Sequence, residues 1–217
     1  VADDILMLRK YAFPDGICSS EDALALLALN DSCSEQSPEW STYFVESLTA
    51  YLVRGTKPPG RIDDAKASWL MRTIAGDGAV HSAVELELLL HAMEVASEVP
   101  ENLSAFALDQ IRMALEPGAR GAYHATRPAS AGITAFDLAY VWRVLRGAME
   151  RGRLMLSPLE ARVLCEIDEL ADPEANHPAW REMMAAVATY ERPREVLRSG
   201  PWLVTDAGHR LTQEVAA

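Results

Sequence analysis

The sequence has no paired-cysteine motif, no long apolar run and no surplus of positive charge. Its three cysteines, Cys18, Cys33 and Cys165, are widely spaced, and none belongs to a C-x-x-C pair. Such a sparse, odd set excludes a disulfide framework and reads as reduced thiols, so a cytoplasmic location is expected. Cys18 and Cys165 have apolar neighbours, which predicts core packing for both. Apolar runs such as 86–90, interrupted by Glu87, are too short to span a bilayer, so an integral membrane protein is not expected. No secretory signal is visible. The chain opens Val-Ala-Asp-Asp, so its natural start is expected upstream.

Against 20 Lys and Arg stand 32 Asp and Glu, a net charge of -12. Residues 1–100 hold 7 and 16 of these, or -9, and the remainder holds 13 and 16, or -3. An acidic surface repels phosphate backbones, so nucleic acid and anionic membranes are poor partners, and basic partners or cations are favoured. Catalytic signatures are missing too. There is no phosphate-cradling glycine loop, no G-x-S-x-G elbow and no H-E-x-x-H.

What is present is apolar residues at helical spacing, in a chain that is 49% hydrophobic. Ile5, Leu8 and Tyr11 share a face. Leu24 and Leu27, flanked by Leu26 and Leu29, form a second stripe, and Trp40, Phe44, Leu48, Tyr51 and Leu52 a third. Leu138, Val141, Trp142, Leu145 and Met149 repeat the pattern. Strict alternation is nearly absent, so an all-α fold without significant strands is expected. Breaks fall at 14–16, 56–60, 76–78 and 99–102. Residues 117–132, rich in Gly, Ala and Pro, read as a flexible connector.

The chain also carries an internal repeat. LALNDSCSEQSPEWSTYFVESLTAYL (27–52) aligns with CEIDELADPEANHPAWREMMAAVATY (165–190). Asn30 and Asp31 fall opposite Asp168 and Glu169, and Trp40 opposite Trp180, with two extra residues in the second loop. In each copy Pro opens a helix at its first turn and Trp, two residues on, anchors it in the core. The expected organisation is a single helical domain, 1–217, of stacked helix pairs. Its pseudo-repeat halves are about 1–56 and 133–192, joined by middle helices 61–116 and the connector 117–132.

Four sites place Ser or Thr three residues before an acid: Ser19 and Asp22, Ser82 and Glu85, Thr134 and Asp137, Ser157 and Glu160. This is the capping-box spacing. The hydroxyl accepts from the third helical N–H, and the acid accepts from the cap's own N–H. The stretch TIAGDGAVHSAVELELLLH (73–91) also looks like half of an EF-hand, but its register fails. With Gly78 at loop position six, positions one, three and twelve are Thr73, Ala75 and Val84, none a carboxylate. Asp77 and Gly78 are therefore expected to turn the chain, Ser82 to cap the next helix, and Glu85 to complete the cap. Further along, Glu87, His91, Glu94 and Glu98 share one stripe of that helix, read as solvated.

Two blocks resemble an uncharacterised bacterial group related to the tellurite-resistance TerB-like domains. They are DGAVHSAVELELLLHAMEVASEVPENLSAFALDQI, with Asp77, Gly78 and Glu85, and EDALALLALNDSCSEQSPEWSTYFVESLTAYLV, with Asn30, Asp31 and Trp40. The second copy departs from the pattern at Asp168, Met184 and Ala185. The resemblance implies an all-α fold of stacked helix pairs, acidic residues associated with metal, and a role in stress-linked or membrane-proximal complexes. It implies no enzymatic activity.

Three functions compete. The first is a non-enzymatic helical interaction or regulatory module of the bacterial cytosol with a protein partner and no cofactor, marked by a contiguous apolar surface patch. The second is a divalent-metal sensor or buffer using Asp77, Glu85, Glu87 and His91, with Asp63 and Asp64 nearby, and it requires these groups to converge. The third is a helical-bundle enzyme of the di-iron kind. That chemistry needs paired E-x-x-H motifs, whereas the order here is His91-Ala-Met-Glu94, found once.

Overall fold

The computed structural model describes residues 2–33, 36–150 and 153–187. The described chain is built of helices, as its periodicity predicts. In order they are α1 (Ala2–Met7), α2 (Ser20–Ser32), α3 (Pro38–Thr49), α4 (Asp64–Ile74), α5 (Ala83–Val95), α6 (Glu101–Leu115), α7 (Gly121–Thr126), α8 (Ala135–Val144), α9 (Pro158–Leu170) and α10 (Pro178–Val187). Two of these widen into π turns, α1 over Leu8–Ala12 and α3 over Ala50–Gly55. A 3₁₀ turn, Leu145–Ala148, leads from α8 into a ladder of β1 (Met149–Glu150) and β2 (Arg153–Leu154), in which Met149 pairs with Leu154.

The core centres on α5 and α6, which are apolar around most of their circumference. In α5 Val84, Leu86, Leu88, Leu89, Leu90, Ala92 and Met93 are buried, a wider arc than one stripe. Helix α3 packs on α5, and α9 packs along α6. Trp40 and Trp180 are both buried, at 8% and 1% exposure.

Local signals hold best. Ser19–Asp22, Thr134–Asp137 and Ser157–Glu160 each form the reciprocal capping box. Pro38 and Pro158 sit at the start of their helices, where a missing N–H costs nothing.

Several expectations need correction. The connector 117–132 is not irregular throughout, since it contains α7. Tyr123 is buried there, and the guanidinium of Arg127 pairs with the wholly buried Asp137, its Nε 2.7 Å from Oδ1. Tyr123 donates to the same oxygen at 2.6 Å, and Arg127 also reaches the carbonyls of Ser130 and Gly132. Burial works against the charge on Asp137. Arg127, Tyr123 and Thr134 outweigh it and hold the carboxyl below its ordinary range. A buried ion pair of this kind leaves no trace in composition. Cys18 and Cys165 are exposed, not core residues. Trp142 is also exposed, at 45%, because it lies at the edge of a stripe whose buried members are Leu138, Val141 and Leu145. Of the second pseudo-repeat half, residues 188–192 lie outside the described residues.

Candidate functional site

Asn30 lies near the end of α2 and is buried at 2% exposure. Ser37 starts α3 by accepting from the Trp40 N–H at 3.2 Å, which turns the Trp40 ring back toward α2. The indole Nε1 then donates to Asn30 Oδ1 at 3.0 Å, and Gln36 Nε2 donates to the same oxygen at 2.7 Å. Both lone pairs of that amide oxygen are thereby used. The amide nitrogen of Asn30 faces the other way and donates to Ser82 Oγ, the cap of α5, at 3.4 Å. One buried side chain thus ties the α2–α3 corner to the start of α5.

The loop before α5 is held from three sides. Gly78, at φ +90°, makes the turn, and Asp77 Oδ1 accepts from the Ala79 N–H at 3.1 Å. Gln110 of α6 accepts from the Val80 N–H and donates to the Gly78 carbonyl. The Ala122 N–H donates to the Val80 carbonyl at 2.7 Å. Ser82 Oγ then accepts from the Glu85 N–H at 3.5 Å.

Glu85 departs from the other three caps. Its carboxyl does not close the box on the Ser82 N–H. It turns inward, is 7% exposed, and bonds to Asn30. Burial pushes its pKa up to about 7, and Asp31 adds to the rise, while His81 and the Asn30 bond oppose it. The capping reading therefore holds for Ser82 and fails for Glu85. The physical reason is the polar pocket made by α2, which competes for the carboxyl.

The metal candidates do not gather at one point. Glu87 and Glu94 are both engaged by Arg143 of α8, with Nη2 2.8 Å from Glu87 Oε1 and Nε 2.8 Å from Glu94 Oε1. The bond from Arg143 holds Glu94 below the usual carboxylate range despite partial burial. His91 Nδ1 stands 4.0 Å from Glu94. Asp77 is taken up by His81 at 3.1 Å, with Arg120 at 3.9 Å. Asp63 caps α4, and Asp64 lies in the first turn of that helix. Among the described residues no group of three or more His, Cys, Asp or Glu side chains could hold a metal ion.

Beside the Asn30 joint runs a surface feature that the sequence reading did not identify. Met7, Leu8 and Tyr11 on one side, and Leu29, Cys33 and Trp40 on the other, line a groove of about 550 Å³. Of its lining, Met7, Tyr11 and Leu29 are 57%, 64% and 38% exposed, so the groove presents an apolar wall to solvent. The available signal was the run Leu24, Leu26, Leu27, Leu29, apolar on more than one side of α2, which asks for cover on a second face.

No protein-family model matches the chain, and no curated protein or solved structure matches it either.

Proposed function

We propose that this protein is a non-enzymatic, all-helical interaction module whose α1–α2–α3 groove receives an amphipathic helix from a basic protein partner. The observation that carries the reading is the groove. Large apolar side chains are exposed together there, and patches of that kind mark binding surfaces. An apolar groove between helices suits the apolar face of a third helix. Charge selects the partner. Asp4 lines the groove, Glu39 adjoins Trp40, and the first 100 residues carry -9. The nearby cations are turned onto rings, Arg9 over Tyr43 and Lys10 over Tyr11, each 5.1 Å from the centroid.

The internal repeat and the TerB-like character belong to the same proposal. Trp180 Nε1 donates to Asp168 Oδ1 at 2.7 Å, the counterpart of the Trp40–Asn30 bond. Both pairs join a 13-residue helix to the Pro-led helix that follows it. Asn30, Asp31, Ser82 and Glu85, residues of the two TerB-like blocks, belong to one joint.

Two synthetic helical peptides test the function. They share one Leu- and Phe-bearing face and differ in carrying Lys or Glu on the other. The Lys peptide should bind, and Met7→Asp or Leu29→Asp should abolish binding while leaving the circular dichroism unchanged. Equal binding of both peptides, or binding indifferent to the two substitutions, contradicts the proposal.

A further inference from the structure

Trp40 belongs to two structures at once: its ring walls the groove, and its N–H is fixed by Asn30. The same Asn30 is bonded to Glu85 and Ser82 across the joint with α5. Three bonded side chains therefore run from a groove wall to a buried carboxyl. Glu85 is alone among the four capping acids in leaving its cap. The charged groups around it are Asp31, from α2, and His81, in the loop preceding α5, which is itself paired with Asp77. From the α3 side only neutral groups reach Asn30, namely Trp40 and, from the turn before α3, Gln36. The second copy has no such chain, because Asp168, the partner of Trp180, is exposed to solvent.

We propose that Glu85 is a proton-operated latch on the groove. When neutral it lets the α2–α3 corner close on α5, and when ionised beside Asp31 it parts them and carries Trp40 outward. A neutral carboxyl fits a site this buried, where lost hydration outweighs the Asn30 N–H bond that favours the anion. An anion there has lost its water and faces a second carboxylate, and moving the corner away relieves both penalties. Asn30 moves with that corner, and Trp40 is bonded to Asn30. The groove thus opens as Glu85 ionises, near pH 7. The latch rests on the reading of the groove as a binding site.

Two measurements on the same protein separate the two ideas. The first is the Trp40 indole N–H resonance, assigned with Trp40→Phe and followed from about pH 5.5 to about pH 8.5. It should titrate in the native protein and stay fixed in Glu85→Gln. The second is the affinity for Nile red, an uncharged apolar probe, over the same range. Affinity should rise by roughly threefold or more in the native protein, stay flat in Glu85→Gln, and vanish at every pH in Met7→Asp. A Trp40 resonance that does not titrate, or that titrates equally in Glu85→Gln, overturns the latch whatever the dye does. A titrating resonance with dye binding that ignores Met7→Asp overturns the groove and its control together, leaving only a moving tryptophan.

Discussion

Replacing Glu85 by Gln should stabilise the protein above neutral pH and leave it nearly unchanged in acid. Gln has the shape and hydrogen-bonding character of the neutral acid, and it cannot ionise. The folded protein raises the Glu85 pKa from its ordinary value of 4.5 to about 7. A group shifted upward binds its proton more tightly when folded. Its contribution is fully present below the unfolded value and is lost as pH rises through the folded one. The difference is roughly 2.5 units, and at about 1.36 kcal/mol per unit it amounts to about 3 kcal/mol. With only 7% of Glu85 exposed, water screens little of this. Urea unfolding of both proteins at several pH values is the assay. The advantage of Glu85→Gln over native should be near zero at about pH 4.5 and approach 3 kcal/mol at about pH 8. Comparing the two at each pH cancels the titration of every other group. A difference that stays constant with pH, or a variant less stable at pH 8, refutes the assignment of Glu85 as a buried carboxyl strained by its charge.

Asp137→Asn should cost about 3–5 kcal/mol in urea unfolding, because it leaves Arg127 buried without its anion. Lys66→Met should cost roughly 3 kcal/mol, read as a lower melting temperature. The ammonium of Lys66 donates to the carbonyls of Thr56 and Arg61 at 3.2 and 2.7 Å and also to Pro58, and the substitution strands all three. Trp40→Phe should destabilise by about 1–2 kcal/mol and more than Trp180→Phe, since Asn30 is buried and Asp168 can turn to water. An equal cost for the two tryptophans would show that burial of the acceptor does not matter. Trypsin should cut after exposed Arg120 before it cuts after Arg127, whose side chain is 5% exposed.

Features set within one turn of chain were legible in the sequence. The hydroxyl-to-acid spacing gave three complete caps, and the Pro-x-Trp pairs gave two buried anchors, because both depend on residues at most four apart. What escaped the reading depends on distant partners. Ser82 and Glu85 look like any other cap until α2 brings Asn30 to them from 52 residues away, and the carboxyl follows the buried amide. Glu87 and Glu94 look solvated until Arg143, 56 and 49 residues on, bridges them. The connector looked loose because a single ion pair does there what a row of apolar residues does elsewhere. The groove was hidden for a related reason. Leu29 and Met7 follow helical spacing as well as any core residue, and only the packing shows that nothing among the described residues covers them.

The central claim, that the α1–α2–α3 groove is the docking surface, is tested most directly by amide hydrogen exchange with and without the Lys-faced helical peptide. Slowed exchange should appear in residues 5–12 and 29–40 and be absent in Met7→Asp. Slowed exchange centred instead on residues 135–144, where Phe136 and Trp142 are also exposed, would contradict the account and move the binding surface to α8.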